Sequence, residues 1–180
     1  DGTKPTPFLV QSGNDHFNNI SQLIKKYRVP LVAGTVAYQG DNGVLNRNLT
    51  LDAHGEELIH YDKMNLFSCN LSKHASKQVI DEAKVYSAGS KPVMWQMGEW
   101  KFGFSTCFDL RFPELYRYYR SHGAHVLTIP SAFTKVTGEA HWHSLVRARA
   151  IENQCYVIAP NQWGKHNEKL TSYGHSLVVD

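Results

Sequence analysis

Cys107 closes a run of alternating aromatic and small residues, Lys101 to Thr106 (KFGFST), and lies shortly before Phe112-Pro113. Alternation of that kind suits a buried strand, and a proline is preset for the first turn of a helix. A thiol is therefore expected at a sharp strand-to-helix turn, with the following backbone amides directed at whatever the sulfur attacks. That is the arrangement of a nucleophile elbow. The other reading of a lone cysteine is a small buried hydrophobe, because only a thiol activated by its surroundings is a nucleophile.

Other residues could serve such a nucleophile. Arg111 follows Cys107 by about one helical turn, so its planar fork could reach a carboxylate on a substrate, or could pair with Asp109 or Glu114. Phe133 and Thr137 lie on a loop after a buried strand and are candidates for a pocket wall and a polar contact, or for core packing and a helix cap. Ten histidines raise the option of a Cys-His hydrolase with His141 or His175 as base, although no feature of the sequence ties either to Cys107. No metal is expected: His141 and His143 are two apart and face different sides of a helix, and Cys-x-x-Cys is missing. No glycine-rich phosphate loop is present either, so no cofactor is expected.

The elements that must position these groups follow from pattern. Phe17, Ile20, Leu23, Ile24 and Tyr27 recur at helical spacing after Asn14 or Asp15, which predicts one amphipathic helix ended by Val29-Pro30. Leu31 to Tyr38 reads as a buried strand whose Gly34 admits another backbone, with a turn at Gly40-Asp41-Asn42-Gly43. Asn46–Asp52 and Glu57–Tyr61 predict a hairpin around Ala53-His54-Gly55-Glu56, which delivers Lys63 just past its second strand. Residues 68 to 92 form a polar stretch that contains Glu82 and is longer than an ordinary connection, as lids and binding loops often are. Val93–Met97 and Lys101–Cys107 predict a second hairpin. A helix from Pro113 to about His122, with Leu115, Tyr118 and Tyr119 inward, closes on Gly123. Then come a strand at Val126–Ile129, a helix at about Gly138–Asn153 with Trp142, Leu145, Val146 and Ala150 on one side, and strands at Cys155–Ala159 and His175–Val179. Alternating strands and helices indicate the α/β class in a single domain over residues 1–180.

Composition excludes several functions. With 42% hydrophobic and 19% charged residues the balance is ordinary for a globular protein. The net charge of +3 comes without a basic run, so no nucleic acid is expected as partner. No stretch approaches the roughly 18 apolar residues of a membrane span, so no membrane is expected. Three unpaired-looking cysteines, Cys69, Cys107 and Cys155, point to a reducing compartment. The expected location is the cytoplasm, with a mitochondrial one left open.

The longer string CFDLRFPELYR after GFSTC closely resembles the cysteine segment of the carbon-nitrogen hydrolase (nitrilase) superfamily. Tyr61-Asp62-Lys63-Met64-Asn65-Leu66-Phe67 is similar to that family's Tyr-x-Lys-x-x-Leu-Phe setting, and Glu82-Ala83-Lys84-Val85-Tyr86-Ser87-Ala88-Gly89 to the segment of its second glutamate. Pro130-Ser131-Ala132-Phe133, then AHWHSLVRARAIENQCYVIAPNQWGKH and SYGHSLVVD, look like the branch of deaminated-glutathione amidases.

The resemblance implies an α-β-β-α sandwich of two central sheets covered by helices. It also implies hydrolysis of an amide in a small carboxylate-bearing molecule, with nitrilases, ω-amidases and carbamoyl hydrolases as relatives that share the machinery. Cys107 would be the nucleophile and Lys63 its positive neighbour. Lys63 and the amide of Phe108 would face the developing oxyanion, while Glu82 would orient lysine or substrate. The family's general-base glutamate belongs to an earlier strand, and the family continues past Val-Val-Asp. The 180 residues are therefore expected to be part of a longer chain, with an inactive binding protein as the alternative if the base is absent. A homo-oligomer, a dimer or larger, is also implied.

Overall fold

In the computed structural model, residues 9–10, 15–41, 43–70, 79–168 and 170–180 are described. The chain is mixed α/β, as its pattern predicts, and divides into two compact units, one drawn from residues 1–68 and 81–91 and the other from residues 69–80 and 92–180.

The first unit is built on a four-stranded sheet. Strand β1 (Leu9–Val10) runs parallel to β2 (Leu31–Gly40), which pairs antiparallel with β3 (Gly43–Leu51), and β3 pairs antiparallel with β4 (Glu57–Asp62). Gly40 faces Gly43 across the first turn. At the second turn Asp52 Oδ1 accepts the amides of His54 and Glu56, so a single carboxylate closes the loop that sends the chain back towards Lys63. Gly34 has a different role from the expected close approach. It takes a φ of 76° where the β2–β3 register shifts between Val32 and Thr35, a β-bulge that a Cβ would strain.

Helix α1 (Asp15–Tyr27) packs differently from its predicted stripe. Ser21 and Ile24 are buried, whereas Leu23 and Tyr27 are 57% and 66% exposed. The helix turns its Ser21 side inward because Gly55 has no Cβ: one built there would lie 2.6 Å from the Ser21 carbonyl oxygen. Asn14, the alternative cap, lies outside the described residues.

The second unit holds a five-stranded sheet in the order Leu177–Val179, Tyr156–Ala159, Val126–Thr128, Trp100–Phe104, Met94–Met97. In chain order, after the short pair β5 (Ser68–Asn70) and β6 (Val79–Asp81), these are β7 (Met94–Met97), β8 (Trp100–Phe104), β9 (Val126–Thr128), β10 (Tyr156–Ala159) and, last, β13 (Leu177–Val179). Strands β8, β9 and β10 are parallel, and antiparallel β7 and β13 close the two edges. Helix α2 (Pro113–Ser121) connects β8 to β9, and α3 (Lys135–Asn153) connects β9 to β10. Such crossovers are what parallel neighbours require. A small hairpin, β11 (Trp163–Lys165) with β12 (Thr171–Tyr173), lies between β10 and β13 where the sequence pattern predicted none. Its strands are three residues each and carry no apolar alternation long enough to read.

The core of this unit contains Leu110, Tyr116, Tyr119, Leu127, Ile129, Trp142, Val146 and Val157. Each aliphatic member contributes about 1.5–3 kcal/mol by burial. On α2 the inward tyrosines are Tyr119, as predicted, and Tyr116 in place of Tyr118, which is 42% exposed. Burial of Tyr116 is tolerated because its hydroxyl donates to Ser105 Oγ at 2.9 Å, and Ser105 Oγ donates to the Thr128 carbonyl. Gly123, at φ 83°, ends α2 as predicted. Helix α3 begins three residues before its predicted start: Thr134 caps it, and Thr137 N–H donates to Thr134 Oγ1. Thr137 is thus the residue that receives the cap rather than the cap itself.

Candidate active site

The turn that carries Cys107 is held from three sides. Strand β8 ends at Phe104, Ser105 N–H donates to the Thr128 carbonyl, and Cys107 N–H donates to the Pro130 carbonyl at 3.0 Å, so the end of β9 fixes the approach. Buried Asp109 accepts the Thr106 amide at 2.8 Å. From behind, Arg149 of α3 gives its Nε and Nη2 protons to the Leu110 carbonyl.

Held this way, Cys107 takes a φ of 49° at the first residue of a 3₁₀ turn (Cys107–Arg111), and Pro113 then opens α2. A left-handed conformation costs a residue with a Cβ about 1–2 kcal/mol. It lets the side chain leave the sheet at the tip of the turn, and Cys107 is half-buried there. Phe108 is the second residue of the same turn, so its amide belongs to the turn's first amides. Cys155 illustrates the inert alternative: it is buried, its Sγ meets the Ala124 and Asn153 carbonyls, and burial pushes its thiol pKa up.

Arg111 sits beside this turn. Its guanidinium carbon lies 5.8 Å from the centroids of both the Phe108 and the Phe133 ring, and Nη2 is 3.1 Å from His141 Nδ1. Phe133 is buried and packs in the core, the second of the two readings its position allowed. One contact is the Trp142 ring at 4.9 Å, and another is the Arg111 guanidinium. The Phe133 amide donates to Asn161 Oδ1. Thr137 is half-buried, with its hydroxyl 2.8 Å from Thr134 Oγ1.

Lys63 and Glu82 belong to the other unit and are in contact with each other. Lys63 follows β4 directly, is 1% exposed, and places Nζ 2.5 Å from Glu82 Oε2. The same carboxylate oxygen accepts the Phe67 amide at 2.7 Å. The backbone of Lys63 is fixed on both sides: its N–H donates to Asn46 and its carbonyl accepts from Gly89. One residue earlier, Asp62 takes two hydrogen bonds from Arg47, whose guanidinium lies 3.9 Å from the centre of the Tyr38 ring. A polar group withdrawn from water in this way needs a hydrogen-bonding partner, which Glu82 provides.

The histidines are engaged elsewhere. Arginine only donates, so His141 Nδ1 is the acceptor in its contact with Arg111. The His175 ring stacks on Tyr173 at 4.1 Å, and its Nδ1 meets the Tyr173 carbonyl. Among the described residues no group of three His, Cys, Asp or Glu side chains is placed to hold a metal ion.

The carbon-nitrogen hydrolase family model matches residues 6–180. The chain belongs to the carbon-nitrogen hydrolase family. Among its relatives, a deaminated glutathione amidase of Dictyostelium discoideum is 46% identical over 76% of this chain and 46% of its own length. One from Synechocystis is 40% identical over 89% of this chain and 60% of its own. Among solved structures, the Caenorhabditis elegans nitrilase and fragile histidine triad fusion protein aligns at a TM-score of 0.81 with 40% identity, covering 92% of this chain and 40% of that one. A Saccharomyces cerevisiae member of branch 10 of the nitrilase superfamily aligns at 0.78 with 30% identity, covering 96% and 60%. The fold is that of the nitrilase superfamily, and the chain spans about half the length of the curated relatives it matches.

Within this carbon-nitrogen hydrolase chain, three residues that hold the candidate groups were not singled out from sequence for that purpose. Arg47 braces the strand end before Lys63, His141 contacts Arg111, and Asn161 ties the Phe133 amide to the Gly174 carbonyl. Arg47 and Asn161 leave no signal in a single sequence, since each is one polar residue whose partner is distant along the chain. His141 could have been found from the HWH string, because buried Trp142 fixes which way its neighbours face.

Proposed function

We propose that the protein hydrolyses a non-peptide carbon–nitrogen bond, the amide of a small carboxylate-bearing molecule, through a thioester on Cys107 and with release of the amine half of that amide. The observation that carries the reading is the left-handed φ of Cys107 at a strand-to-helix turn, strain that an inert packing cysteine has no reason to bear.

The chemistry runs in two halves. The Cys107 sulfur attacks the amide carbon, the carbonyl oxygen becomes an oxyanion, and the C–N bond breaks as the nitrogen takes a proton and leaves as an amine, cysteinylglycine where deaminated glutathione is the substrate. Water then attacks the thioester, the C–S bond breaks, and the carboxylic acid and thiol are restored. The resemblance gives Lys63 and the Phe108 amide to the oxyanion, where donors aimed in advance are worth about 3–4 kcal/mol each. Glu82 holds the lysine charged and oriented. Carrying protons between thiol, leaving amine and water takes a carboxylate, the part that the resemblance gives to the family's general-base glutamate. Arg111, flanked by Phe108 and Phe133, is a fork for the carboxylate of the substrate.

Relatives named deaminated glutathione amidase support that compound as substrate, before ω-amides, nitriles or carbamoyl compounds. A homo-oligomer is the expected assembly. The test is release of cysteinylglycine, the amine half of the scissile amide, by the complete natural protein with deaminated glutathione. The proposal expects turnover that Cys107→Ala abolishes, and turnover retained in Cys107→Ala would overturn it.

A further inference from the structure

We propose that His141 is a positioning residue for substrate selection: it holds Arg111 in the orientation that receives the substrate carboxylate. The inference rests on the reading of Arg111 as the carboxylate fork and goes beyond it.

A long side chain with an exposed guanidinium samples many rotamers, and ordering it at the moment of binding weakens affinity. Here it is ordered beforehand. The Phe108 and Phe133 rings each stand 5.8 Å from the guanidinium carbon, within cation–π reach. His141 Nδ1 accepts from Nη2 at 3.1 Å and fixes the direction of one edge of the fork, leaving the other N–H donors for a ligand.

His141 can set this position because it is itself anchored. The next residue, Trp142, is fully buried against Phe133, and its Nε1 donates to the His175 carbonyl at 2.8 Å. The helix cannot turn at this point without breaking both contacts, so the imidazole stays where Arg111 meets it. A neutral acceptor is the suitable partner here. An Asp or Glu in its place would neutralise the guanidinium and compete with the substrate carboxylate, whereas imidazole orients the fork and leaves its charge uncompensated.

The test compares deaminated glutathione with an uncharged amide, its dimethyl ester, in the complete natural protein and in His141→Ala, His141→Asn and Arg111→Ala. Asparagine is the rescue variant, because its Oδ1 takes the place of Nδ1 as acceptor. Loss of one exposed hydrogen bond to a charged group corresponds to about fivefold in binding. KM for the acid is expected to rise about fivefold in His141→Ala with kcat changed less than twofold, to recover in His141→Asn, and to stay level for the ester throughout. Equal effects on acid and ester, or no recovery with asparagine, would overturn the positioning role while leaving Arg111 as the fork. If Arg111→Ala fails to separate acid from ester, the fork reading is itself wrong and the inference falls with it.

Discussion

Lys63 Nζ lies 2.5 Å from Glu82 Oε2, and the lysine side chain is wholly withdrawn from solvent while the glutamate remains partly exposed. A charge so placed depends on its partner, because removing one member of a buried pair leaves the other uncompensated. The two ends of the pair should therefore respond differently to substitution. Glu82→Ala is expected to cost about 2–4 kcal/mol, and Lys63→Met, apolar and of similar volume, less than about 1 kcal/mol. Both should lose activity. Urea denaturation of the two variants checks this, and equal destabilisation would contradict it.

Gly89 offers a test of how Lys63 is held. Its N–H donates to the Lys63 carbonyl, and a Cβ at this position would lie 2.1 Å from the Asp62 carbonyl oxygen. Gly89→Ala must push that strand end away, at a cost of about 3 kcal/mol or more. A denaturation midpoint unchanged from the parent would refute the tight approach.

The strain at Cys107 predicts an order between two inactive variants. Alanine at φ 49° keeps the Cβ penalty and glycine does not, so Cys107→Gly should be more stable than Cys107→Ala by about 1 kcal/mol. In an ordinary strand or helix position the order would be the reverse. Thermal melts of the two proteins decide between them.

Two buried phenols give a pH dependence with a definite sign. Burial raises the pKa of Tyr116 well above its ordinary value, and burial likewise raises that of Tyr119, whose hydroxyl donates to the Phe104 carbonyl. An acid whose folded pKa is raised favours the folded state while it stays neutral. That contribution is whole below about pH 10, the unfolded value, and is lost as pH rises beyond it. Stability should therefore fall progressively as pH rises above about 10, and less steeply in Tyr119→Phe. An ultraviolet titration of tyrosinate should show both phenols ionising only as the protein unfolds.

The parts of the fold that were legible in the sequence are those governed by short-range pattern. The β3–β4 hairpin was readable because Asp52 and Gly55 are turn residues between two apolar runs, and that alone places Lys63 at a strand end. The strand, Cys107 and Pro113 sequence was readable as a turn for the same reason. What was not legible depends on partners distant along the chain. Tyr116 replaces Tyr118 inside because Ser105, eleven residues earlier, can satisfy its hydroxyl. Helix α1 rolls onto Ser21 because Gly55 leaves room. Thr134 takes the cap foreseen for Thr137 because the chain already leaves β9 at Pro130 with its next polar side chain in place. The contact of His141 with Arg111 joins residues thirty apart, and periodicity carries no information about it.

The measurement that bears most directly on the account is intact mass of the complete natural protein, quenched in acid within the first turnovers on deaminated glutathione. The account predicts a species heavier by the acyl group, confined by peptide mapping to Cys107 and missing in Cys107→Ala. Cysteinylglycine released with no adduct at any quench time, and undiminished in Cys107→Ala, would contradict a thioester on Cys107 and with it the function assigned to the turn that carries it.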